Sequence, residues 1–130
     1  MMVDSSAVVA ILFGEPEGER MARAIWSAPV RLISCVSRLE CLMVVESRRG
    51  RAFLGRAEQV LQELGLEAVG FDLAQMAEAL RAWQHYGKGR HPAKLNLGDC
   101  CAYGAAVVTG EPLLFKGNDF IHTDIPHAAW

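Results

Sequence analysis

Short, nearly unbroken apolar runs alternate along this chain with longer stretches in which apolar residues recur every three to four positions, the rhythms of buried strands and of amphipathic helices. Met2-Val3-Asp4 reads as a brief strand that turns at Ser5-Ser6, a serine cap, into the helical run AVVAILF. A second helix is predicted over residues 17–27, after Pro16. Residues 30–35 (VRLISC) read as a buried strand, which leads through Val36-Ser37 into the helix SRLECLMVVESRRG, stopped by Gly50. Residues 52–64 form another amphipathic helix, closed by Gly65, and residues 67–71 (EAVGF) a strand. Asp72 then caps the helix LAQMAEALRAWQHYG, and residues 88–94 (KGRHPAK) form a polar loop. Asn96 caps a helix of small apolar residues over 97–108, ended by Thr109-Gly110. Leu113-Leu114-Phe115 is a last buried strand, running into Lys116-Gly117-Asn118-Asp119, and the tail IHTDIPHAAW adds an edge strand.

Strands alternating with helices imply right-handed crossovers and a mostly parallel central sheet covered on both faces, an α/β fold built as a three-layer α/β/α sandwich. No Pro/Ser linker, repeat or low-complexity tract interrupts the pattern, so residues 1–130 are expected to form a single domain. At 52% hydrophobic residues and a mean hydropathy of +0.16, the chain carries enough apolar surface for a real core. No apolar run approaches the roughly 18 residues of a membrane span, and the opening residues lack a basic leader segment. A soluble, cytoplasmic protein is the expectation. Cys35, Cys41, Cys100 and Cys101 show neither a C-x-x-C pair nor a disulfide framework, and three of them fall within apolar helical patterns, as reduced core residues do. A net charge of −2 argues against a general nucleic-acid coat protein, which leaves local clusters of the 13 Lys and Arg to decide.

In parallel sheets ligands bind beyond the C-terminal strand ends, and three carboxylates fall there. Asp4 ends the first strand, Asp119 follows the last, and Asp99 opens the helix that feeds it. Glu40 is a fourth, projecting from a largely apolar helix face beside Val36, Met43 and Val44. Each has a purely structural explanation when taken singly. Asp4 caps a helix, Asp99 complements a helix dipole, Asp119 makes an Asx turn and Glu40 snorkels at the rim of the core. Together, however, four ionised carboxylates facing one cleft repel each other and lose hydration, at several kcal/mol per ion before compensation. No Arg or Lys lies within a helical turn of Asp4 or Asp99, Arg38 is two residues from Glu40 and so off its helical face, and Lys116 stands three residues from Asp119. An oxygen-only set suits a hard divalent cation, Mg²⁺ or Mn²⁺. His85, His91, His122 and His127 lack ligand spacing and are read as solvated. Such a site suits phosphoryl chemistry, and no G-x-S-x-G, Walker A or Cys/His motif competes with it.

Four segments, VDSSAVVAILFGEPE, the helix bearing Glu40, RHPAKLNLGDCCAYGAA and LLFKGNDFIHTDI, together resemble the PIN-domain ribonucleases, specifically the VapC-type toxins of toxin–antitoxin pairs. The resemblance runs in order through essentially the whole chain and implies a PIN-like α/β/α sandwich. It implies that Asp4, Glu40, Asp99 and Asp119 are the catalytic, metal-binding quartet, that Ser6 supports Asp4, and that Asn96 fixes the segment holding Asp99. It further implies an Mg²⁺- or Mn²⁺-dependent endoribonuclease with an RNA substrate, a homodimer, silenced by a cognate antitoxin. RNA would need cations to offset the acids, and Arg48, Arg49 and Arg51, then Lys88, Arg90 and Lys94, and Lys116 are the candidates. Trp26, Trp83 and Tyr86 read as core or dimer-interface residues rather than base-stacking platforms.

Two other classes compete. A receiver-type phospho-acceptor domain would use Asp4 for metal, Asp72 for the phosphoryl group and Lys116 as its contact, but it lacks an acidic doublet beside Asp4 and leaves Glu40 and Asp99 without a role. A binding module would use the acids only for a structural cation.

Overall fold

The computed structural model describes residues 1–130, and its first strand occupies the middle of the sheet. Strands β1 (Met2–Val3), β2 (Leu32–Ser34), β3 (Glu67–Val69) and β4 (Leu113–Leu114) lie in the order β3-β2-β1-β4, every pair parallel. Alternate residues point to opposite faces, so each strand feeds two cores. Val3, Ile33 and Leu114 pack under helices α1 (Ser5–Leu12), α2 (Gly18–Ser27), α3 (Cys35–Arg49) and α4 (Leu54–Glu63). Met2, Leu32 and Leu113 face α5 (Leu73–Tyr86) and α6 (Leu97–Thr109) on the other side. The three-layer sandwich is therefore present, its strands short because burial on both faces lets two or three apolar residues suffice. No helix is long and apolar enough to cross a membrane.

Several element boundaries differ from expectation. Asp4, not a serine, caps α1, because its carboxylate reaches the Ser6 N–H while Ser5 is already helical. The fourth helix starts at Leu54, since Gly50, at φ 82°, turns the chain into a single 3₁₀ turn over Arg51–Phe53 first. Strand β3 stops at Val69, where the Gly70 carbonyl turns to accept the Gln75 amide at 2.8 Å. The tail makes one bridging pair, Leu113 with His127, and no edge strand. Pro126 next to it has no N–H to extend a ladder. Trp26 and Trp83 are 53% and 42% exposed, so neither is a core residue. Cys41, Cys100 and Cys101 are buried and all four cysteines are free, with Cys35 exposed at the start of α3. Two histidines are packed rather than simply solvated. His91 accepts the Ala93 N–H at 3.1 Å against Tyr86, and His127 lies edge-on to Phe115.

Helices α5 and α6 meet backbone to backbone at Gly104, where a Cβ would stand 2.5 Å from the Gln75 carbonyl oxygen. A carbonyl cannot yield as a side-chain tip does. Gly104→Ala is therefore expected to destabilise the fold by about 2 kcal/mol, read as a lower urea midpoint with an unchanged slope.

Candidate functional site

The order β3-β2-β1-β4 means that the chain first walks outward from β1 and then returns to its other side, so the crevice at the C-terminal ends of β1 and β4 is the topological switch point. Asp4 leaves β1 directly into it. Asp4 Oδ2 accepts the Ser6 N–H at 2.9 Å and the Ser6 hydroxyl at 2.6 Å. The Ser6 Oγ also accepts the Lys116 N–H at 2.9 Å. One hydroxyl thus fastens the exit of β4 to the first acid. Asp4 is buried, and burial raises its pKa against the lowering effect of the Ser6 bonds, with the Glu40 charge raising it further.

Glu40 reaches the same place from α3. Its Oε2 accepts the Ser5 hydroxyl at 2.7 Å, and its carboxylate lies against the first turn of α6, where a Cβ on Gly98 would fall 2.7 Å from Oε1. Only a glycine lets that anion sit so near the helix start, whose free N–H groups favour negative charge. Cys41, beside it, is pushed up to about 12 by burial first and then by the charges of Asp4 and Glu40.

Asp99 has two jobs. It completes a capping box with Asn96, accepting the Asn96 N–H at 2.9 Å while Asn96 Oδ1 accepts the Asp99 N–H at 3.0 Å. Its pKa is pushed up to about 7, chiefly by burial and then by the charges of Asp4, Asp119 and Glu40, against the lowering effect of the Asn96 bond. Asp119 stands exposed on the turn after β4, near enough for Asp99 to feel its charge.

None of these four carboxylates takes part in an ion pair; every salt bridge in the chain uses other acids. Lys116 is paired with Glu15 and with Glu17, the latter at 3.2 Å, so its ammonium is already engaged rather than free for a phosphate as its spacing implies. No three His, Cys, Asp or Glu side chains converge into a ready-made metal cage, because Glu40 and Asp99 are turned onto Ser5 and Asn96. The donor chemistry nevertheless fits a hard divalent cation, which binds through one or two carboxylates and keeps several waters. Asp72, the phospho-acceptor of the receiver reading, caps α5 by accepting the Gln75 N–H at 2.9 Å and follows the edge strand β3, two strands from Asp4. That reading fails on geometry.

A cleft of about 350 Å³ opens beside Glu40, lined by Ser5, Ser6, Glu15, Arg48 and Lys116 among others. Arg48 and Arg49 lie over the Phe13 ring, Arg51 approaches Glu46 at 3.8 Å, and Arg90 sits 3.9 Å from the centre of the Trp83 ring. Sequence reasoning passed over Ser5, Gly98 and the Glu15/Glu17 clamp on Lys116. The doubled serine after Asp4 and a glycine inside a first helical turn were the available signals; nothing in the local sequence pairs Lys116 with residues about a hundred positions away.

A family model described as PIN domain matches residues 1–126. Ribonuclease VapC30 of Mycobacterium tuberculosis is 43% identical over 129 residues, covering 99% of this chain and 98% of the relative. Ribonuclease VapC of Mycolicibacterium smegmatis is 44% identical over 125 residues, covering 96% and 97%. Among solved structures, M. tuberculosis VapC20, described as a sarcin-ricin loop cleaving toxin, superposes with a TM-score of 0.74 at 16% identity over 95% of each chain. A toxin–antitoxin complex from Klebsiella pneumoniae superposes at 0.73, also at 16% identity, over 95% of this chain and 92% of that one. These two likenesses speak for the fold.

Proposed function

The chain belongs to the PIN-domain family, in company with the VapC proteins, and from that premise we propose that it is a divalent-cation-dependent endoribonuclease toxin, neutralised by a cognate antitoxin in the cytoplasm. Residues 1–130 act as one PIN domain, with Asp4, Glu40, Asp99 and Asp119 as the catalytic and metal-binding residues. One observation supports the reading: at the switch point Asp99 feels the charges of Asp4, Asp119 and Glu40, and none of these four carboxylates, which come from four segments, has an ion-pair partner.

Asp4, Glu40, Asp99 and Asp119 would hold Mg²⁺ or Mn²⁺. When bound, the ion supplies charge neutralisation at phosphoryl oxygens and makes a water more acidic. The chain's own residues prepare the place. Ser6 keeps Asp4 Oδ2 turned inward, Ser5 orients Glu40, and the Asn96 cap fixes Asp99 on a rigid helix end. With its pKa pushed up to about 7, chiefly by burial, Asp99 would give up a proton to bind a cation at lower pH. Arg48 at the cleft and Lys88 and Lys94 in the loop before α6 offset the acids for an RNA phosphate backbone. The same unpaired acids receive a basic side chain of the antitoxin.

Purified chain incubated with labelled single-stranded and structured RNAs tests this. Cutting is expected with Mg²⁺ or Mn²⁺ and is expected to stop with EDTA. Undiminished cutting in EDTA, or none of any RNA at any cation concentration, sinks the reading.

The homodimer belongs to the same proposal. Leu73, Met76, Leu80 and Trp83 follow one another at helical spacing along α5, each at least 42% exposed, beside an apolar cavity of about 690 Å³ that Leu97 helps line. A second copy covers such a stripe by two-fold packing. Sedimentation is expected to give a dimer mass for the wild type and a monomer mass for Leu80→Asp. A wild-type monomer at tens of micromolar refutes it.

A further inference from the structure

Asp119 sits on an exposed turn with no regular structure after β4, and yet it must be placed against Asp99 to serve one site. Polar contacts flank that turn on both sides. The turn is tied on its near side by the Lys116 N–H on Ser6. On its far side Phe120 is buried, its carbonyl accepting the Thr123 hydroxyl at 2.8 Å and lying 3.2 Å from the His127 ring nitrogen. One residue beyond Thr123, Asp124 Oδ1 accepts the Tyr103 hydroxyl at 2.5 Å, and that same hydroxyl accepts from the Arg81 guanidinium at 3.0 Å.

Tyr103 is 1% exposed and stands on α6 four residues after Asp99, on the same helical face. A buried phenol with both its donor and its acceptor used, between a cation and a carboxylate, is a rigid strut. Burial and Asp124 raise the phenol's pKa, so the proton stays on Tyr103 and the bond persists at physiological pH. We propose that Tyr103, with Asp124 and Arg81, is a positioning group that sets the Asp119 turn against Asp99 and thereby the spacing at which the two acids share a divalent cation. The inference rests on the function proposed above.

The test uses the full chain and Mn²⁺, whose free fraction is read from its paramagnetic resonance signal. Tyr103→Phe keeps the ring and removes the strut; Asp124→Asn removes its charged end. Each is expected to weaken Mn²⁺ binding about tenfold. Residues 116–123 are expected to exchange amide hydrogens faster, with the double variant no weaker than either single one. Val60→Ala, which loosens the opposite core, controls for lost stability and is expected to bind as the wild type does. Wild-type affinity in both strut variants overturns this inference and leaves the proposed function standing. Failure of the wild type to bind Mn²⁺ at millimolar concentration overturns both.

Discussion

Asp99→Asn is expected to cut RNA at least about a hundredfold more slowly than the wild type at saturating Mg²⁺, while remaining folded. The rate follows from charge. Removing one of four anions weakens the hold on a cation that stabilises the phosphoryl group, and a loss of about 2.7 kcal/mol in that stabilisation is a hundredfold. The intact fold follows from the cap. Asn96 Oδ1 bonds to the backbone N–H of residue 99, which the substitution keeps, and an amide oxygen can still accept the Asn96 N–H in return. The variant also removes a charge that is disfavoured first by burial and then by repulsion from Asp4, Asp119 and Glu40, which together push the pKa of Asp99 up to about 7. At pH 8 without divalent cations it is therefore expected to be more stable than the wild type, by on the order of 2 kcal/mol after allowance for water at the cleft. A variant that cuts at the wild-type rate removes Asp99 from the site, and one that unfolds returns it to a merely structural role.

The second large effect is on stability itself. Asp99 titrates at about 7 in the fold against an ordinary value of 3.8, and Asp4 is also raised. A folded state that binds protons more tightly than the unfolded chain gains stability at low pH. That gain is complete below about 3.8 and is lost as pH rises through 7. In EDTA, the Tm is accordingly expected to fall by several degrees between pH 5.5 and 8, beyond what Asp99→Asn shows. Saturating Mn²⁺ is expected to abolish the fall, because a cation bound by the ionised acids replaces the protons they lose. Parallel calorimetry of the two proteins with and without Mn²⁺ decides it. A wild-type Tm that rises with pH in EDTA, or that ignores Mn²⁺ at pH 8, contradicts the arrangement.

Local chemistry was legible where it is local. Asp72 and Asn96 act as the caps their side chains predict, and short buried strands and period-3.6 helices appear at the apolar runs and amphipathic stretches that predict them. Misplaced boundaries arose where a neighbour intervened. The serine expected to cap α1 instead serves the acids, because Asp4 was near enough to cap in its place. Lys116 is sequence-adjacent to Asp119, but Glu15 and Glu17, distant in sequence, engage its ammonium.

The sequence by itself determined the layers, the acids that end up at strand ends and the family resemblance, since each depends on residue type and spacing along a few turns of chain. Only the tertiary structure decided that Ser5 would hold Glu40, that Gly98 would admit it, and that Tyr103 would reach Asp124. It also decided that Asp99 would ionise near 7. Burial and through-space charge set these properties, and both come from segments that meet only when the sheet brings β4 back beside β1.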